Sequence, residues 1–308
     1  METTASLVER ARATTRPFQD LYPYEPHFLE VSGSALHYID EGPRGNGAML
    51  CVHGNPTWSF YWRAVARAFR SETRVVVPDH LGMGLSDRVG GGVRLAEHVD
   101  ALIALVESLD LRDVTLVVHD WGGAIGFGAA LALRDRITRF VVTNCAAFPS
   151  GMMPKRIAAC RIPLFGRIAV QQGNAFARAA TRMTTVRPLS GEVKRALLAP
   201  YASPRDREQV WRFVADIPMS DSHPSWKTLC GIADGLESLR GLPMELVWGM
   251  HDWCFRPEFL ARWQQYFPDA GVRRLDDAGH YVCEDAPAAL IDAIADVRRR
   301  PVTPGVAT

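Results

Sequence analysis

Val117-Val118-His119-Asp120-Trp121-Gly122-Gly123 joins an apolar β-branched run to a segment rich in small residues. A buried strand, a tight turn and a helix opening on glycines make a nucleophile elbow, which lifts one side chain above the end of a sheet. The residue in that place is Asp120, where serine is usual, and Val118 stands where the common pattern has glycine. Aspartate changes the chemistry. It is ionised at neutral pH, needs no base to activate it, and attacks to form an ester or an anhydride. Taken alone, the same residue could also be a helix N-cap.

The surrounding sequence supplies the fold. Short apolar runs recur at Met49 to Val52, Arg74 to Pro78, Val114 to Val118, Phe140 to Asn144, Met244 to Trp248 and Val272 to Leu275. Continuous rather than alternating apolarity predicts parallel strands covered on both faces. Trp58 to Arg70, Leu95 to Leu109 and Gly122 to Leu133 carry helical spacing between them. Alternation of this kind predicts an α/β fold. It stops after Phe148-Pro149-Ser150-Gly151 and resumes near Leu239, so one sheet is split by a helical insertion lying over the strand ends. The expected division is a core of residues 1–150 and 236–300, a helical cap of 151–235, and a disordered tail of 301–308.

Two further strand ends carry reactive groups. Leu246-Val247-Trp248-Gly249-Met250-His251-Asp252 leaves a carboxylate just beyond a strand, and Asp276-Asp277-Ala278-Gly279-His280 leaves an imidazole after the next. Nucleophile, acid, then histidine is the chain order of α/β-hydrolases. Asp252 would fix the tautomer of His280 and stabilise its cation, and His280 would accept or donate the proton. Relatives of this fold can place the acid after the strand ending at Asn144. No acid occurs between Asn144 and Glu192, so Asp252 has no rival. After Met49 to Val52 comes His53-Gly54-Asn55-Pro56-Thr57-Trp58, where the fold places its second oxyanion donor. The backbone N–H groups of Asn55 and Trp121, with the Asn55 amide and the Trp121 indole, offer four donors to a small anion or a carboxylate.

Composition narrows the alternatives. Of 308 residues, 47% are apolar and 22% charged, with 35 Lys and Arg against 34 Asp and Glu. That near-neutral balance excludes a nucleic-acid binder working through a global positive field. No window approaches the ~18 apolar residues of a membrane span. The six cysteines form neither a CxxC motif nor zinc-finger spacing, so reduced thiols in a cytoplasmic protein are expected, with no metal and no cofactor. The charge is unevenly placed. Residues 151–195 hold nine Lys and Arg against one acid, Glu192. Mixed with Met152, Met153, Leu164, Phe165 and Phe176, they make either a solvated cap face or a basic amphipathic surface for a membrane or a partner.

The motifs together resemble a known family. His53-Gly54-Asn55-Pro56-Thr57-Trp58, Pro78-Asp79-His80-Leu81-Gly82-Met83-Gly84-Leu85-Ser86-Asp87 and His119-Asp120-Trp121-Gly122-Gly123 resemble the haloalkane dehalogenases, in the branch whose site is Asp–His–Asp with Asn and Trp. The likeness spans about residues 20–150 and 236–300. Gly173 to Met183 and Trp248 to Phe255 narrow it, looking most like the β-lactone (cis-3-alkyl-4-alkyloxetan-2-one) decarboxylases of bacterial long-chain olefin biosynthesis. The resemblance implies an α/β-hydrolase fold, a mostly parallel sheet with the cap inserted after strand 6, and a site of Asp120, Asp252, His280, Asn55 and Trp121. It implies a hydrophobic substrate with long alkyl chains, and assembly with other olefin-pathway enzymes or a membrane through the basic cap.

The five residue types serve either chemistry. A dehalogenase displaces halide with Asp120, then hydrolyses the alkyl ester with water deprotonated by His280. A decarboxylase turns the lactone into cis-alkene and CO2, with attack of Asp120 on the carbonyl or on the ring carbon both open. Epoxide hydrolases also use an aspartate but employ two cap tyrosines, and this insertion holds one, Tyr201. A non-catalytic receptor would not be expected to keep a whole triad. Trp58, Phe60, Trp62, Phe148, Trp253 and Phe255 are candidate pocket walls, Asp79 a loop anchor, and Cys254 an unreactive thiol.

Overall fold

The computed structural model describes residues 3–162 and 164–302. Its centre is an eight-stranded sheet of β1 (His27–Val31), β2 (Ser34–Glu41), β3 (Ala48–Val52), β4 (Arg74–Pro78), β5 (Val114–Asp120), β6 (Ile137–Cys145), β7 (Met244–Gly249) and β8 (Gly271–Leu275). The spatial order is β1-β2-β4-β3-β5-β6-β7-β8. β1 and β2 run antiparallel at one edge, and every pairing from β4 to β8 is parallel. All six runs singled out by their apolarity are strands of this sheet. β3, β4, β5 and β7 are buried along their whole length, as a sheet covered on both faces requires.

Helices Leu95–Ser108 and Trp121–Ala132 pack beside the sheet. The first buries Leu95, Val99, Leu102, Leu105 and Val106 at helical spacing, and Glu97 closes its start by accepting the Arg94 N–H at 2.9 Å. The segment expected as one helix over Trp58 to Arg70 instead opens with a 3-10 turn, Ser59–Trp62, before helix Arg63–Phe69. The second packing helix explains the valine at 118. A Cβ on Gly126 would lie 2.7 Å from Val118 Cγ1, so the glycine makes room across the interface for the side chain that the elbow normally lacks.

Between β6 and β7 the described chain is helical, with Lys155–Cys160, Ala175–Met183, Gly191–Leu198, Glu208–Ala215 and Trp226–Gly235 as its main segments. Backbone carbonyls bind this region to the core. Trp58 Nε1 donates to Ala196 O at 3.1 Å, Trp253 Nε1 to Met183 O at 2.8 Å, and the Tyr281 N–H to Thr184 O at 2.9 Å. Of the tail expected at 301–308, residues 303–308 lie outside the described residues. No described helix is long and apolar enough to cross a membrane.

Candidate active site

Asp120 ends β5 with φ +53°, and helix Trp121–Ala132 starts at the next residue. A non-glycine residue at positive φ costs on the order of 1–3 kcal/mol and is held by its surroundings. Here the holding groups are visible. Oδ1 of Asp120 accepts the Asn55 N–H at 2.7 Å, and the neighbouring backbone N–H of Trp121 also favours the charged carboxylate. Gly54 allows this approach, because a Cβ there would lie 2.2 Å from Asp120 Cβ. Burial raises the Asp120 carboxyl above its ordinary value, opposed by the His280 ring and the two backbone donors.

His280 follows β8 and faces both carboxylates. Its Nδ1 lies 2.8 Å from Asp252 Oδ2, and its Nε2 lies 3.7 Å from Asp120 Oδ2. The bond to Asp252 places the proton on Nδ1, so neutral His280 turns its Nε2 lone pair toward the site. Burial lowers the basicity of the ring, but the charge and hydrogen bond of Asp252 and the charge of Asp120 outweigh it, and the net shift is upward. The Phe255 ring stacks on the imidazole with centroids 5.6 Å apart. His119 donates Nε2–H to the His280 carbonyl at 3.0 Å, and burial drives its own basicity well down, so it acts as a neutral strut.

Asp252 is set from two sides. Its Oδ1 accepts the Cys254 N–H at 2.6 Å, and its Oδ2 accepts Asn144 Nδ2 at 2.9 Å together with His280 Nδ1. Asn144 also bonds the backbone of β7, accepting the Gly249 N–H at 2.8 Å and donating to the Gly249 carbonyl at 3.1 Å. Sequence reasoning used Asn144 only as the marker of a missing acid. Its place at the end of the neighbouring strand was the signal that it could reach Asp252.

The four donors expected to converge on one anion are divided instead. The backbone N–H of Asn55 binds the Asp120 carboxylate itself, and that of Trp121 lowers the same carboxyl rather than facing a separate anion. The Asn55 amide donates to the Val210 carbonyl of helix Glu208–Ala215 at 3.0 Å, which ties the oxyanion loop to the cap. The Trp121 indole faces the cavity against Phe213, with centroids 5.1 Å apart.

A cavity opens over Asp120 in two lobes of about 130 and 500 Å³, which share Asn55, Asp120, Ile157, Phe176 and Cys254. Phe148 and Phe255 line the smaller lobe and Trp253 the larger. Trp58, Phe60 and Trp62 are fully buried packing residues instead. Cys254 is held as a thiol, its acidity suppressed first by burial and then by Asp252 and Asp120. Asp79 anchors a loop, accepting the backbone N–H groups of Ser59 at 2.5 Å and Leu85 at 2.8 Å and pairing with His37. Tyr201 is spent on structure. Its hydroxyl donates to Thr57 O at 3.1 Å and accepts the Gly84 N–H at 3.3 Å, away from both lobes. Among the described residues no group of three or more His, Cys, Asp or Glu is arranged to hold a metal ion.

A family model for the alpha/beta hydrolase fold matches residues 47–287, from the strand before Asn55 to the helix after His280. The chain belongs to the α/β-hydrolase family. Within that family it is 38% identical over 282 residues to a cis-3-alkyl-4-alkyloxetan-2-one decarboxylase of Shewanella oneidensis, covering 89% of this chain and 88% of the relative. It is also 38% identical to the decarboxylase of the same name from Xanthomonas campestris, covering 91% and 98%. Haloalkane dehalogenase 2 of Mycobacterium tuberculosis is 33% identical, covering 91% and 97%. Among solved structures, this α/β hydrolase is similar to a haloalkane dehalogenase from Bradyrhizobium elkani, with a TM-score of 0.80 and 25% identity over 88% of this chain and 98% of that one.

Proposed function

We propose that this protein is a β-lactone decarboxylase, converting cis-3-alkyl-4-alkyloxetan-2-ones to cis-alkene and CO2 with Asp120 as nucleophile, His280 and Asp252 as its partners, and Asn55 and Trp121 as donors. The observation that carries the reading is the forked cavity. Two mainly apolar lobes meet at residues that include Asp120 and are otherwise lined by different side chains, which suits a ring with alkyl chains on adjacent carbons. The decarboxylases at 38% identity support the same choice.

The donor arrangement favours attack at the ring carbon bearing oxygen. The Asn55 N–H is bonded to Asp120 Oδ1 and the Trp121 N–H also favours that carboxylate, which leaves them poorly disposed toward the oxyanion that attack on the lactone carbonyl would create. Oδ2 forms a C–O bond to the ring carbon, and the ring C–O bond breaks to release a carboxylate toward the Trp121 indole. That carboxylate then leaves as CO2. Its C–C bonding pair forms the alkene, and Asp120 is expelled unchanged. Inversion followed by anti elimination converts a cis lactone to a cis alkene without consuming water. His280, whose basicity Asp252 and Asp120 raise, stands with Nε2 beside the carboxylates that form and leave, and stabilises them when that nitrogen carries a proton.

The second reading, haloalkane hydrolysis, is supported by the shared residue types and by the dehalogenase at 33% identity. Lactones of unequal chains test the two-lobe reading of the cavity. Shortening either substituent to methyl should lower kcat/KM for alkene formation by about 100-fold or more if both lobes bind chain. Absence of alkene from every lactone would overturn the proposal. The six unpaired thiols fit work in a reducing cytoplasm.

A further inference from the structure

Five large apolar side chains stand exposed among the described residues, all in the cap: Ile162, Leu164, Phe165 and Ile168 in one short stretch, and Val186 beyond the next helix. Leu164 is 74% and Phe165 64% exposed. Scattered exposed leucines need no explanation, but a cluster confined to one segment does.

The same segment is the basic one. Lys155, Arg156, Arg167, Arg178, Arg182 and Arg187 are exposed around it. Of the acids in the later cap, Asp206 pairs with Arg88, Glu208 with Arg212 and Asp216 with Arg94, while Asp221 and Asp234 are exposed, and Asp285 of the core accepts the backbone N–H groups of Val186 and Arg187. Nine cations face one acid across 151–195, while the whole chain carries a net charge of +1, so the remainder of the molecule is net acidic. The charge therefore has a direction, with its positive end on the exposed apolar residues.

The inner side of this surface is the wall of the larger lobe. Ile157 and Cys160 come from helix Lys155–Cys160, and Phe176, Ala180 and Met183 from helix Ala175–Met183, on either side of the exposed stretch. The helices that flank the exposed stretch thus also line the cavity over Asp120.

We propose that the segment 155–187 docks the protein on an anionic lipid surface, seating Leu164 and Phe165 among the acyl chains and drawing bilayer-dissolved substrate into the larger lobe. This rests on the reading of the substrate as a water-insoluble dialkyl lactone. Exposed apolar side chains interspersed along the chain with exposed Lys and Arg match an interface with hydrocarbon below and negative headgroups above. A cap whose described helices are too short to cross a membrane binds such a surface from one side.

The test is sedimentation of the full chain with phosphatidylcholine vesicles, with and without phosphatidylglycerol, at low and high salt. The wild type is expected to bind the anionic vesicles at least about tenfold better than the neutral ones and to release as salt rises. The double variant Leu164→Glu/Phe165→Glu is expected to lose about tenfold or more of that binding, with an unchanged melting temperature and unchanged turnover of a detergent-dispersed short-chain lactone. Wild type that stays with the supernatant at low salt overturns the proposal, as does a double variant that binds undiminished. Self-association through this face without vesicle binding overturns it too, and assigns the patch to a second copy. Vesicle binding without alkene from any lactone would leave the docking standing and sink the proposed activity, whereas alkene without vesicle binding would do the reverse.

Discussion

Asn144 and His280 share one oxygen of Asp252: Asn144 Nδ2 lies 2.9 Å and His280 Nδ1 2.8 Å from Oδ2. The strand end that carries no acid thus carries the amide that aims the acid of the next strand. A hydrogen bond to a charged group contributes about 1.5–3 kcal/mol. Asn144→Ala is therefore expected to lower kcat by about 10–100-fold with little change in KM. A kcat within a factor of two of wild type, with the fold intact by circular dichroism, would remove Asn144 from the site.

Asp120 combines burial, positive φ and charge, each of which works against the folded state. An asparagine in its place could keep the bonds from Asn55 and Trp121, tolerates positive φ well, and carries no charge. Asp120→Asn is expected to abolish turnover, by at least about 10³-fold, yet to melt a few degrees higher than wild type at neutral pH. Because burial raises the Asp120 carboxyl, the wild type gives up stability as pH climbs through that folded value. The advantage of the variant should accordingly shrink toward pH ~4. Calorimetry across pH reads this directly, and a variant that melts lower at every pH contradicts it.

His280 gives a stabilising contribution with its own pH dependence. Its basicity is raised because Asp252 and Asp120 outweigh burial. The stability it contributes is whole below the ordinary histidine value of ~6.5 and is lost as pH rises through the raised folded value. His280→Gln should cost more stability near pH ~6 than near pH ~9, measured by denaturant unfolding. A penalty that grows with pH would reverse the assignment of charge. Loss of the ring also removes what lowers Asp120, so formation of any Asp120-linked adduct in His280→Ala should require higher pH than in wild type.

Tyr201 separates this site from epoxide opening. Its hydroxyl is occupied by Thr57 O and the Gly84 N–H. Tyr201→Phe is expected to lower stability by about 1 kcal/mol and to leave kcat within about twofold. Loss of turnover at intact fold would put the phenol back into the chemistry.

Much of this was legible in the sequence. The inner parallel strands stood out as apolar runs because both sheet faces are covered there, whereas edge strand β8, with Arg273 and Arg274, is only half-buried. β1 and β2 did not stand out. They form the antiparallel edge, where His27, Glu30, His37 and Asp40 interrupt the apolar pattern. The chain order of Asp120, Asp252 and His280 pointed to their meeting, since strand ends of a parallel sheet converge on one edge. What each donor binds was not legible. The direction of the Asn55 amide depends on Val210, 155 residues away, and Asn144 reaches Asp252 only because β6 and β7 are neighbours. The forked cavity likewise depends on how the cap helices settle over the core.

The central claim is that Asp120 serves a lactone rather than a haloalkane. The most direct measurement supplies the purified protein with a cis-3,4-dialkyl β-lactone and, in parallel, with 1-bromohexane and 1,2-dibromoethane, using Asp120→Ala as the blank. Alkene is read by gas chromatography and bromide by ion release. The account predicts Asp120-dependent cis-alkene with little or no bromide. Rapid bromide release without alkene would contradict it.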